Sequence, residues 1–246
     1  MSLLISPRDL LIPAGREAAL TVEVETRWAP FIDPARSGAE VDVENHGQAS
    51  TGPDGLATVP LKPLAEGLHR LRVRCGRAEA EALVRVAPGT SAVLVTDIDH
   101  TIADVSPAGF ILKPNPWVRT LAGARDALAS LAGRMEIVYL SARDHIYAKK
   151  TRAWLRRNAF PEAPLYVRAG TRFWSCRSKG HKLARLGELR GLWANIRAGI
   201  GDLPSDAEAY AAHRIPPILI SPARPSGLPD GTVWVRSWTE ILENLR

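Results

Sequence analysis

Cysteine is almost missing from this chain of 246 residues, which holds only Cys75 and Cys176. Two thiols so far apart make neither a disulfide framework nor the paired spacing of a zinc site, so both read as ordinary core or surface thiols. Long apolar runs are missing as well. The longest stretch free of charged residues is Val86–Thr96, 11 residues, against the ~20 apolar residues that a membrane-spanning helix requires. The opening MSLLISPRDLLIPAG has no basic leader before its short apolar run, so it does not read as a secretory signal. A cytoplasmic location is expected, with peripheral contact to a membrane left open. Glycine and proline, 19 each, are too sparse for a low-complexity or collagen-like chain. What remains is an ordinary globular composition, 46% apolar and 24% charged, long enough for one large domain or two small ones.

Charge is unevenly spread. Residues 1–88 hold 10 Lys/Arg and 12 Asp/Glu, whereas residues 89–246 hold 22 and 14, so the net charge of +6 belongs to the second part. There, Arg143 to Arg185 contains 12 basic residues and only two acids, Asp144 and Glu162. Such a field draws anions to a surface, although a run of charge can equally be a solvated helix face.

The hydrophobic pattern divides at the same place. Before residue 88, apolar and polar residues alternate with period two, as in Leu20, Val22, Val24 and in Leu71, Val73, Cys75. These strands each have one wet face, and turn signals such as Thr51-Gly52-Pro53-Asp54-Gly55 separate them. The expected domain over 1–88 is a small all-β sandwich. The stretch TGPDGLATVPLKPLAEGLHRLRVR resembles the bacterial Ig-like and carboxypeptidase-regulatory-like sandwiches. Pro88-Gly89-Thr90 reads as a linker.

From residue 91 to 246 the rhythm is that of a parallel α/β sheet. Short apolar runs at Ala92–Thr96, Ile137–Leu140, Leu165–Val167, Ile196–Ile200 and Ile218–Ile220 alternate with helices expected at Trp117–Ala132, Asp144–Asn158, Lys182–Trp193 and Asp206–His213. A strand at Val233–Val235 and a helix from Trp238, N-capped by Ser237, would close the domain.

In open α/β sheets, sites form beyond the carboxyl ends of the strands. The first apolar run leads into Asp97-Ile98-Asp99-His100-Thr101, the second into Ser141-Ala142-Arg143, and the fourth into Gly201-Asp202 with Asp206 beyond. Acids and a hydroxyl thus converge at one sheet edge, and Lys182 is placed to offset their charge. Phosphomonoester hydrolysis needs such a set, because an anionic carboxylate must approach an anionic phosphate and a cation must offset the repulsion. Asp97 is the natural nucleophile and a metal ligand, Asp99 can move protons, and Asp202 completes a Mg²⁺ site.

In this order the residues resemble the haloacid-dehalogenase-type (HAD) phosphotransferases, with DxDx(T/V), a later Ser/Thr, a Lys and a GDxxxD-like ending. The resemblance spans 91–221 and implies a Rossmann-like HAD domain. It further implies Asp97 as nucleophile and Asp99 as acid/base and backbone-carbonyl ligand. Thr101 would support the loop, Ser141 would hold a phosphoryl oxygen, and Lys182 would contact nucleophile and phosphate, with Lys179 an alternative. Asp202 would bind Mg²⁺ with Asp206 as helper.

The spacing leaves no room for an inserted cap, so the expected substrate is bulky: a lipid at a membrane, a nucleic-acid end or a phosphoprotein. The basic stretch should border the site, with Arg143, Lys149, Lys150, Arg156 and Arg157 guiding that substrate and making any membrane or nucleic-acid contact. Within the capless group, Phe160-Pro161, His181-Lys182 and the run Gly201 to Tyr210 resemble lipin/Nir-type domains and actin-patch-associated phosphatidate phosphatases. That resemblance implies phosphatidate. Two alternatives stand beside it. One is a polynucleotide end phosphatase, favoured by the basic helix Lys149–Arg157 with Trp154. The other is a non-catalytic lipid- or protein-binding module, against which the intact Asp97 and Asp99 argue.

Overall fold

The computed structural model describes residues 2–27, 34–168 and 178–245, without the side chains of Ser178 and Lys179. Cys176 and the Lys179 side chain therefore lie outside the described residues. Two compact units emerge. One comprises the residues up to Gly89 together with Asp144–Ile146, and the other comprises Thr90–Arg143, Tyr147–Arg168 and the residues from 178 onward. Among the described residues, no helix is long and apolar enough to cross a membrane.

The first unit contains β1 (Ser2–Pro7), β2 (Leu10–Pro13), β3 (Ala19–Arg27), β4 (Glu40–Val43), β5 (Gly47–Ser50), β6 (Leu56–Pro60), β7 (Gly67–Cys75) and β8 (Ala78–Ala87). They form two sheets, ordered β1-β3-β6 and β2-β8-β7-β4-β5. Because period-two alternation sends every second side chain to one face, Leu20, Val22 and Val24 of one sheet meet Val41, Val73 and Val84 of the other in a single apolar core. The Gly52–Gly55 turn is tight: Gly55 has φ +76°, and a Cβ there would lie 2.8 Å from the Val24 carbonyl oxygen. Only glycine tolerates both conditions.

Buried acids in this unit meet donors. Asp9 accepts the Leu83 N–H at 2.7 Å. Glu25 Oε2 lies 3.0 Å from His145 Nε2, while His145 Nδ1 lies 3.0 Å from Asp144 Oδ1. Burial alone would lower the His145 pKa, but its hydrogen bonds to Asp144 and Glu25 and the nearby Glu23 charge outweigh burial and raise it to about 10.

The second unit runs β9 (Val93–Thr96), α1 (Pro107–Leu112), a 3-10 turn (Asn115–Trp117), α2 (Ala124–Ala132), β10 (Glu136–Asp144), α3 (Ala148–Arg157), β11 (Leu165–Arg168), α4 (Ser178–Leu192), β12 (Ile196–Gly201), α5 (Pro204–Ala212), β13 (Pro217–Ile220), β14 (Val233–Val235) and α6 (Trp238–Asn244). The sheet order is β11-β10-β9-β12-β13-β14, with β10, β9, β12, β13 and β14 parallel. Every residue of β9 is buried, as expected for a strand covered on both faces. From β9 the chain first builds outward through β10 and β11, then returns to place β12 on the other side of β9. That reversal makes a topological switch point, with its crevice beyond the carboxyl ends of β9 and β12.

Four helix starts differ from the sequence expectation, with α4 beginning at Ser178 rather than Lys182 and α5 at Pro204 rather than Asp206. The helix expected from Trp117 starts at Ala124 instead, because Gly123 takes a left-handed φ of +78° and the residues before it form a proline-bearing 3-10 turn. The helix expected from Asp144 starts at Ala148, because β10 continues through Ser141 to Asp144. Helix α1 was not expected at all, since a six-residue helix shows too little of the 3.6-residue period.

Candidate active site

The Asp97–Thr101 loop is fixed by its backbone before its side chains are considered. Asp97 N–H donates to the Ile200 carbonyl at 2.8 Å, which ties the end of β9 to β12. The Ile98 carbonyl accepts from the N–H groups of Thr101, Ile102 and Ala103, and His100 turns the chain with φ +52°. Thr101 supports the loop through its backbone rather than its hydroxyl: its carbonyl accepts Trp238 Nε1–H at 2.8 Å, while its buried Oγ1 has no hydrogen-bond partner among the described residues.

Across the switch point, glycines let the acids approach. A Cβ on Gly201 would come within 2.6 Å of Asp206, and one on Gly199 within 2.2 Å of the Tyr210 ring. Tyr210 donates to the Ile200 carbonyl at 3.1 Å, which fastens α5 to β12. Asp206 Oδ2 accepts the Leu203 N–H at 3.4 Å and so caps the helix that carries it.

The structure brings Asp97, Asp202 and Asp206 together, with one carboxylate oxygen from each within 4.8 Å of the others. Lys182 Nζ reaches this group from α4, 3.2 Å from Asp97 Oδ2 and 2.6 Å from Asp206 Oδ1. Lys182 is itself buried, which would lower its pKa, but the two carboxylates more than reverse that and hold it as a cation. Three carboxylates face this one ammonium group. Burial is the largest cause that pushes Asp97 up to about 7, with the Asp206 and Asp99 charges adding and Lys182 opposing. Burial and Asp206 likewise push Asp202 up to about 6. If all three acids are ionised, two negative charges exceed the one ammonium group among the described residues. That excess and an all-oxygen donor set match a hard divalent cation such as Mg²⁺, so the residues fit the metal.

Asp99 is built differently. Arg143 Nη2 donates to Asp99 Oδ1 at 2.8 Å and Arg143 Nε to Oδ2 at 3.0 Å, a two-pronged pair. The same guanidinium donates to Thr151 Oγ1 at 3.1 Å and stacks with its central carbon 3.4 Å from the Phe110 ring centroid. Ser141 is wholly buried, and its Oγ accepts the Arg143 N–H at 3.2 Å, which leaves its own O–H to donate.

The basic stretch does not form one guiding surface. Arg143 is buried against Asp99 because that carboxylate needs a partner away from water. Lys150 turns inward to donate to the carbonyls of Phe110, Ile111 and Lys113 at the C-terminal end of α1. Arg156 and Arg157 are exposed in the last turn of α3. There they complement the helix dipole, roughly a dozen ångströms along the axis from the end nearest the site. Lys149, exposed in the first turn of α3, stays near the catalytic edge. The sequence reading missed that Arg143 and Phe110 belong to the site's support. A basic residue two positions after the Ser at a strand end was the available signal.

No curated protein matches this sequence. Among solved structures, a haloacid dehalogenase-like hydrolase from Streptococcus pneumoniae shares 12% identity at a TM-score of 0.46, over 63% of this chain and 99% of that one. A magnesium-bound HAD-hydrolase from Bacillus subtilis shares 11% at 0.46, over 63% and 98%, and a HAD-superfamily hydrolase from Geobacter sulfurreducens shares 15% at 0.44, over 63% and 97%. These likenesses are loose. A family model, that of the LNS2 domain of PITM 1-3, matches residues 94–220. The match runs from β9 to the end of β13 and takes in Asp97, Asp99, Ser141, Lys182, Asp202 and Asp206. Since the match covers more than half of its length, the chain belongs to the LNS2 domain family.

Proposed function

We propose that the second unit is a Mg²⁺-dependent phosphomonoesterase that works through an aspartyl-phosphate on a bulky anionic substrate, with phosphatidate the first to try. The observation that carries this reading is the cluster of buried Asp97 and Asp206 with half-buried Asp202, in which Lys182 is the one ammonium group among the described residues. Structural acids gain nothing from such an excess of like charge, whereas a metal site for phosphoryl transfer requires it.

An Asp97 carboxylate oxygen attacks phosphorus, the bond from phosphorus to the substrate oxygen breaks, and the departing alkoxide takes a proton. Water then attacks phosphorus, gives up a proton, and releases phosphate with the Asp97 carboxylate restored. Asp97, Asp202 and Asp206 would hold Mg²⁺, which supplies positive charge to phosphoryl oxygens and relieves the repulsion between nucleophile and substrate. Lys182 adds its charge beside Asp97, and the Ser141 O–H is available to a phosphoryl oxygen. Asp99 serves both proton transfers. Arg143 holds both its oxygens, so for the first step Asp99 must carry a proton with one of those bonds open; it gives that proton to the leaving oxygen and, as a carboxylate, then takes one from the attacking water.

A bulky substrate fits the connections. Between Thr101 and Ser141 the described elements are α1, the 3-10 turn, α2 and part of β10. Between Ser141 and Lys182 they are the end of β10, a short 3-10 turn, α3, β11 and the start of α4. Neither interval contains an inserted domain among the described residues.

The test is hydrolysis of an aryl phosphate and of phosphatidate in mixed micelles, with Mg²⁺ or chelator, by the chain and by Asp97→Asn. Activity that needs both the metal and Asp97 supports the reading. Activity that survives either loss contradicts it, and so does absence of hydrolysis on every phosphomonoester tried.

A further inference from the structure

Among the described residues, two groups of side chains could each hold a metal ion. One is the cluster of Asp97, Asp202 and Asp206. The other is Glu23, Glu25 and His145, in the first unit, to which Asp144–Ile146 belong. This second group serves no step of the phosphatase reading.

Strand β3 supplies the two glutamates. It lies between β1 and β6, with Glu23 paired to Ser6 and Leu56 and Glu25 paired to Leu4. Being two residues apart, Glu23 and Glu25 share one face of the strand, opposite to the face on which Leu20, Val22 and Val24 enter the core. Period-two alternation makes that the wet face, yet both glutamates and His145 are buried. One ligand atom from each of the three lies within 4.8 Å of the others. His145 Nε2 stands 3.0 Å from Glu25 Oε2. Two ligand atoms on a tetrahedral zinc, each ~2.1 Å from the ion, stand ~3.4 Å apart, so a small parting of this pair makes room for the ion. The other ring nitrogen, Nδ1, lies 3.0 Å from Asp144 Oδ1. A carboxylate in that place fixes the tautomer and turns the ring of a metal-binding histidine.

We infer that Glu23, Glu25 and His145 form a second metal site, which takes zinc and steadies the first unit. Carboxylates alone suit magnesium or calcium, but an imidazole among them moves the preference to zinc and its transition-metal neighbours. The three residues fill three of zinc's four positions, and a water or a second carboxylate oxygen fills the last. As the ion enters, His145 Nε2 releases to solvent the proton it shares with Glu25, while Nδ1 keeps its own, facing Asp144. The ion joins β3 to a segment 120 positions further along the chain, and binding to the folded site alone favours the folded state. The inference does not rest on the phosphatase reading, because zinc binding and unfolding are read without turnover.

The test is calorimetric titration with zinc of the full chain carrying Asp97→Asn and Asp202→Asn, which removes the competing cluster. After dialysis against chelator, this parent should bind one zinc ion per chain, and zinc should raise its unfolding temperature. Adding Glu23→Gln or His145→Gln should weaken zinc binding by about a hundredfold or more, and adding Asp144→Asn by about tenfold. Glu44→Gln, at an exposed acid of the same unit, should bind as the parent does. Circular dichroism in chelator checks that each variant folds, and Asp144→Asn, which keeps all three ligands, decides the matter if a ligand variant does not fold. Absence of zinc binding by the parent overturns the inference. So does binding that these substitutions leave undiminished, or binding with no rise in unfolding temperature.

Discussion

The two units bury carboxylates in opposite ways. In the first, Asp9 accepts a backbone N–H, and Glu25 and Asp144 face His145 with Glu23 close by, so buried acids meet donors. In the second, Asp99 is matched by Arg143, but the cluster of Asp97, Asp202 and Asp206 has one ammonium group, Lys182, among the described residues, and it pairs with Asp97 and Asp206. Burying a charge costs several kcal/mol unless it is paired. The first arrangement lowers that cost and steadies the fold. The second leaves part of it standing, at the crevice where the strand order reverses, and the excess charge is what a cation and a phosphate can use.

The sharpest way to break this contrast is to remove the nucleophile. Asp97→Asn should lower kcat on an aryl phosphate by roughly 10⁴-fold or more, while thermal unfolding is unchanged or slightly raised because a repulsive charge is gone. The corresponding change in the first unit, Glu25→Gln, should do the reverse and lower stability. Next comes Arg143→Lys, which keeps the charge but loses the fork. It should cut kcat by about a hundredfold, as expected for a displaced catalytic group. Rescue of activity by Lys would show that the charge matters and the geometry does not.

The pH dependence of stability separates the units further. Asp97 and Asp202 are held up to about 7 and about 6. Between about pH 4 and 7 the folded chain therefore retains protons that the unfolded chain has released. With divalent cations chelated, stability should fall as pH rises through that window, and excess Mg²⁺ should remove the slope. His145 is raised to about 10, so its contribution is full below about 6.5 and is lost as pH rises through about 10. Chemical denaturation across pH, with Asp97→Asn and His145→Gln, should flatten one slope each. The smallest effect is expected on the solvated face of the first unit. The Arg74–Glu79 pair is 45% and 58% exposed, and Arg74→Ala should change stability by no more than about 0.5 kcal/mol.

Much of this was legible in the sequence where position along a strand decides it. Asp97, Ser141 and Asp202 each follow an apolar run, and the edge of a parallel sheet is where such residues meet. The contacts that were not legible join distant segments. Arg143 binds Asp99 across 44 positions and His145 meets Glu25 across 120, separations at which no periodicity carries a signal. The run of basic residues misled for the same reason. A count of charges does not say that Arg143 turns inward, that Lys150 caps α1, or that Arg156 and Arg157 reach the far end of their helix.

The most direct test of the central claim is to trap the intermediate. During steady turnover of an aryl phosphate with Mg²⁺, borohydride should reduce an acyl phosphate to the alcohol, converting the residue at position 97 to homoserine. Mass spectrometry of the digested chain should find that conversion at position 97, dependent on substrate and at no other aspartate. Continued turnover with residue 97 recovered only as aspartate, or with the conversion at another residue, would contradict the assignment of Asp97 as nucleophile.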